Sequence, residues 1–172
     1  MGDPMTDTAN LSVERADLLA TLDKHRSFLR YTVRGLSDEQ AAQRPTASEL
    51  CLGGLIKHVT RAEEQWARFA EGGAEAMFTE DDGDWAGGFR MEPGDTLAGL
   101  LAEYEKVAGR TDELARTLDL DAAHPLPEAP WFEPGASWSV RRALLHIIAE
   151  TAQHAGHADI LREAIDGQKT MG

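Results

Sequence analysis

The apolar residues of this chain recur at intervals of three and four and never alternate over a useful length, which confines the fold to packed helices. Valine, isoleucine and aromatic residues are sparse, whereas leucine, alanine, glutamate and arginine dominate the periodic segments. Four long helices follow, with no convincing strand. The first spans about 12–36, where Leu18, Leu22, His25, Leu29, Val33 and Leu36 make one stripe. Ser37 and Gln40 then have the spacing of a capping box that opens a single turn, and Pro45 ends it.

A second helix is predicted from about 48–52 to 70–71, with Leu52, Leu55, Val59, Ala62, Trp66 and Phe69 inward. The pair Gly53-Gly54 near its start lowers helix propensity by roughly 1 kcal/mol per residue. Close helix contact, or room for a ligand, would justify them. A third helix, capped by Asp95, reaches about Leu118, and a fourth, capped by Ser139, ends near Asp166 with Gly167 beyond it. Between the last two, Pro125, Pro127, Pro130 and Pro134 rule out a regular helix, and Trp131 and Phe132 are the expected anchors of that crossover. The economical solution is an all-α four-helix bundle with one hydrophobic seam. Residues 1–10 read as a flexible N-terminal segment and 11–172 as a single domain.

Charge and composition exclude several functions. Thirty acids against 17 lysines and arginines give a net charge of −13 over 172 residues, with no basic stripe for phosphate neutralisation, so no nucleic-acid partner is expected. Eight acids and a single base lie between Glu71 and Asp95, a segment read as a solvated connection, with Trp85 and Phe89 fastening it to the bundle or lining its mouth. No apolar run is long enough for a membrane span. The one cysteine, Cys51, excludes an internal disulfide and a four-cysteine zinc site; it reads as a buried inert thiol in a reduced cytoplasmic protein. Serine nucleophile elbows, phosphate loops and dinucleotide glycine patterns are absent.

The informative residues are polar ones standing where leucine would be cheaper. His154 lies on the stripe of the last helix, and Glu150 is four residues earlier, about 40° around the axis. His58 stands beside the stripe of the second helix. Two imidazoles and a carboxylate from two helices make a sensible set of ligands for a divalent metal; a structural histidine and a simple helix pair are the alternatives. His157, seven residues past Glu150, suits a supporting group, a cofactor contact or a proton carrier. His25, inward on the first helix, is either a core histidine or a second group facing the same cavity. His146, turned to the flank, reads as a solvent or packing residue, and His124 in its loop carries little signal.

Two segments resemble a known family. Gly53-Gly54-Leu55-Ile56-Lys57-His58-Val59-Thr60-Arg61-Ala62-Glu63 and the stretch from Leu144 to Glu163, which contains His146, Glu150, His154, Gly156 and His157, resemble the DinB/YfiT-like metalloenzyme superfamily. The chain looks most like its actinobacterial branch of mycothiol-dependent enzymes, which includes small-thiol S-transferases and maleylpyruvate isomerase. The resemblance implies a bundle with a long crossover, a homodimer, and zinc, nickel or a related cation between the helices. Its metal ligands map onto His58 and His154, with Glu150 where most of the family has a histidine; the isomerase branch is similar in using glutamate there. This chain lacks the isomerase's extra C-terminal domain, which argues against isomerisation itself.

The activity expected from this is attack of a metal-activated low-molecular-weight thiol, mycothiol in this branch, on an electrophile, with His157 or His25 positioning the thiol or moving its proton. Hydrolysis by water at the same open position is the alternative enzyme reading. A non-catalytic, stress-associated bundle, or one with a purely structural metal, is the other class. Four protein ligands would favour structure, and three with an open position would favour catalysis.

Overall fold

The computed structural model describes residues 11–79 and 86–170, so the expectations for residues 1–10 and for Trp85 lie outside the described residues. Four long helices carry the fold: α1 (Val13–Thr32), α3 (Leu52–Gly72), α5 (Leu97–Thr117) and α6 (Val140–Asp166). Two single-turn helices, α2 (Asp38–Ala41) and α4 (Ala74–Met77), lie in the connections, as does a 3-10 turn over Ala86–Phe89. Helices α5 and α6 each pack against both α1 and α3. Thus α1 and α3 oppose each other across a diagonal of a four-helix bundle, and the chain must cross over between them.

Local chemistry sets the helix ends. Ser12 caps α1, Ser139 caps α6, and Ser37 with Gln40 forms a reciprocal capping box on α2. Gly167, at φ 76°, takes the left-handed conformation that closes α6. The cap of α5 differs from expectation. Thr96, not Asp95, accepts from the Gly99 N–H, while the Asp95 carboxylate accepts instead from the Glu92 N–H and from Lys57 Nζ, each at 2.8 Å. Cys51 is buried and is itself the cap of α3, its sulfur 3.4 Å from the Gly54 nitrogen. Two arginines close helix C-termini from other elements: Arg15 donates to the carbonyls of Ala115 and Leu118, and buried Arg162 to those of Thr32 and Arg34.

The proline-rich crossover contains strands that the sequence did not reveal. Strand β1 (Ala123–Pro125) pairs antiparallel with β2 (Ser137–Ser139), with His124 opposite Trp138. Three residues per strand are too few to show alternation. The hairpin seats His124 Nε2 3.3 Å from the Ala70 carbonyl at the end of α3 and leads directly into α6. Phe132 packs against the core, whereas Trp131 is 76% exposed, its ring edge-on to that of Phe132 rather than in the core.

The single apolar seam is also corrected. The core is two clusters, one holding Leu18, Leu22, Trp66, Phe69, Leu144 and Ile147, the other Leu29, Val33, Leu55, Val59, Ala158 and Leu161. Between them along the helices lie buried Arg26 of α1, Glu63 of α3, Thr111 of α5 and Thr151 of α6. Arg26 and Glu63 form a bidentate pair, with Nη2–Oε1 at 2.5 Å and Nε–Oε2 at 3.2 Å, and Arg26 also reaches Asp112. The inward polar residue of α1 is therefore Arg26 rather than its neighbour His25, which is half-buried.

Candidate metal centre

The metal candidates lie beside this polar layer, on the facing sides of α3 and α6. His58 is buried, and Glu150 and His154 are half-buried. Each offers one ligand atom, and these atoms lie within 4.8 Å of one another. Glu150 Oε2 is 3.4 Å from His154 Nε2 and 3.8 Å from His58 Nε2, and the two imidazoles meet edge-on with centroids 4.7 Å apart. Ligands about 2.1 Å from a cation stand roughly 3.0–3.5 Å apart, so small side-chain rotations would complete such a centre. Imidazole nitrogen and carboxylate oxygen suit zinc and nickel, and among the described residues this group has three members, not four. The donor set fits a divalent cation with an open position.

Electrostatics already favour an anionic Glu150. The His154 ring, followed by that of His58, holds its carboxyl well below the usual carboxylate range, against the opposing effect of burial. The ring of His58 is fixed from its other side by Phe89, which stacks on it at 4.0 Å with planes 20° apart. The turn carrying Phe89 comes this close because α3 begins with glycines. A Cβ on Gly54 would collide with the Phe89 backbone, and one on Gly53 with the Met91 side chain. The two glycines therefore serve close contact, with the 3-10 turn and the residues just after it. Phe89 does fasten its connection to the bundle, and it does so against His58, a partner that no local pattern indicates.

The remaining histidines are distributed unequally. His157 lies one turn beyond His154, and their Nδ1 atoms are 3.3 Å apart, leaving His154 Nε2 turned to Glu150. His25 meets Phe28, with ring centroids 6.2 Å apart, and no described contact ties it to the three donors. His146 is half-buried and has the packing role, not the solvent one. Its ring lies against Trp66 and Trp138, and its Nε2 is 3.7 Å from Glu150 Oε1. Burial, opposed by Glu150, pushes its pKa down. A cavity of about 450 Å³ runs along another face of α3, lined by Lys57, Arg61, Glu64, Arg68, Leu100 and Glu103 among others; none of the three donors lines it.

No helix of the described residues is long and apolar enough to cross a membrane. None of the curated proteins compared matches this chain. A family model described as Mycothiol-S-transferase matches residues 17–167, which takes in all four long helices except the first turn of α1 and includes every candidate donor. With a helical bundle, two imidazoles and a carboxylate converging between α3 and α6, and that match over most of its length, the chain belongs to the DinB/YfiT-like mycothiol S-transferase family of enzymes.

Proposed function

We propose that this protein is a divalent-metal-dependent S-transferase that joins a low-molecular-weight thiol, mycothiol by its family, to a small electrophile. His58, Glu150 and His154 hold the cation, zinc in the first instance and nickel in the second. The observation that carries this reading is the approach of their three ligand atoms to within 4.8 Å of one another. When bound, the cation supplies a field that makes a thiol at its open position far more acidic.

The chain's own residues do the rest. Glu150 brings a negative charge that a third histidine would not, which makes release of the thiolate easier. His157 supports His154 through the ring contact at Nδ1 and is the group that carries the thiol proton away; His25 is the second candidate for that task. The thiol loses its S–H proton, its sulfur forms the new bond to the electrophile, and the leaving group departs with the electrons of the broken bond. Three donors rather than four favour catalysis over a structural centre.

A homodimer belongs to the same proposal. Leu145, Ala149, Gly156 and Ile160 are exposed along one side of α6, a narrow apolar strip on which a second helix can lie. We read residues 11–172 as one domain working in the cytoplasm, where a single buried thiol stays reduced.

The test is metal analysis of protein purified without an affinity tag, wild type against His154→Ala, followed by an assay of metal-dependent mycothiol consumption by model electrophiles. Wild type is expected to carry metal and turn over, and the variant to do neither. Equal metal in both proteins would remove His154 from the centre. Full turnover by metal-free protein would reject the mechanism.

A further inference from the structure

We propose that His146, outside the three donors, is a positioning residue that fixes Glu150 for the cation. This rests on the reading of His58, Glu150 and His154 as the metal centre. The carboxylate of Glu150 has two oxygens with different neighbours. Oε2 faces His58 and His154, whereas Oε1 faces His146 Nε2 at 3.7 Å. His146 stands four residues before Glu150 and His154 four after it, so one helix face carries all three. The 40° step per four residues turns His146 away from the cation and toward the outer oxygen.

The direction of the His146 edge is imposed from outside α6. Its ring lies 4.6 Å from the Trp66 ring of α3 and 5.3 Å from the Trp138 ring of β2, tilted about 60° to each. These two indoles are themselves stacked at 4.8 Å, and Trp66 is buried against Phe69. The imidazole cannot swing into the core. Its Nε2 remains toward the carboxylate, and a movement of about 0.8 Å converts the present ion-pair separation into a hydrogen bond. Glu150 is half-buried and flexible, and an anchored outer oxygen leaves its inner oxygen with fewer orientations to lose when the cation binds. Partners of this kind change metal affinity about 10–100-fold.

Packing alone makes a different prediction, because a phenyl ring would fill the same space between the indoles. The experiment compares wild type, His146→Phe, which keeps the ring and loses the donor, and His146→Gln, which keeps an N–H donor. Metal-free samples are titrated with Co²⁺ and followed by visible absorption, with thermal unfolding as the control for folding. The phenylalanine variant is expected to unfold near the wild-type temperature yet bind Co²⁺ about 10–100-fold more weakly with an altered band, and glutamine to restore most of the affinity. Wild-type affinity and band shape in the phenylalanine variant would overturn the inference while leaving the metal centre standing. Equal weakness in both variants would show that a replacement N–H donor restores nothing and overturn it as well. Failure of the wild type to take up Co²⁺ would overturn the metal reading and this inference with it.

Discussion

A Cβ on Gly54 would lie 2.0 Å from the carbonyl oxygen of Phe89 and 2.4 Å from its carbonyl carbon. Those are backbone atoms and cannot rotate aside. The absence of a side chain at the second residue of a glycine pair therefore lets the 3-10 turn lie against α3, and the turn in turn sets the Phe89 ring on His58.

Gly54→Ala is accordingly expected to destabilise the protein by about 1–3 kcal/mol, although helix propensity alone would favour alanine by about 1 kcal/mol. It should also weaken Co²⁺ binding, because His58 loses its stacked partner. Gly53→Ala should be milder, since a Cβ there meets the flexible end of Met91, its sulfur at 2.2 Å. Urea unfolding of both variants and Co²⁺ titration check this. Equal losses at the two positions would contradict it.

The buried pair of Arg26 and Glu63 should be costly to break and far less costly to replace. Glu63→Ala leaves a buried guanidinium with only the partly exposed Asp112 beside it, and is expected to lose about 3–5 kcal/mol. Substituting both partners with apolar residues of similar volume, as in Arg26→Met with Glu63→Leu, should recover most of that loss. Denaturant unfolding of the two single variants and the double variant measures the coupling. A double variant as unstable as the sum of the singles would show that the two residues act independently.

Asp95 provides an acid-sensitive clamp between the start of α5 and α3. Burial pushes its carboxyl pKa up, but the Lys57 ammonium and the Glu92 N–H outweigh burial and hold it below the usual aspartate value. Its contribution to stability is therefore fully present above the ordinary aspartate pKa near 3.9 and fades as pH falls through the lowered one. Asp95→Asn should be less stable than wild type at about pH 6, by about 1 kcal/mol for a half-buried pair, with the difference shrinking toward about pH 3. Unfolding free energies of the two proteins across that range provide the check. A difference that stays constant in acid would assign the effect to hydrogen bonding alone.

Within one helix, the chain's own pattern was sufficient. Spacing of three and four located all four long helices, Ser37, Ser139 and Gly167 marked ends correctly, and the displacement of leucine by His58, Glu150 and His154 pointed to the residues that now stand together. These are properties of a single element with a fixed period, and a histidine or glutamate on an apolar stripe is visible without knowing what faces it.

What the tertiary structure alone decided concerns pairs from different elements. Arg26 and His25 are neighbours only 100° apart on α1, and nothing local says which one turns inward; Glu63 of α3 decides it by supplying the matching charge. Phe89 over His58, and the indoles that aim His146 at Glu150, depend on how loops and strands of no detectable periodicity return to the bundle. Distances between elements are set by packing over the whole chain, which is why the candidate donors could be picked out along the helices and their surroundings could not.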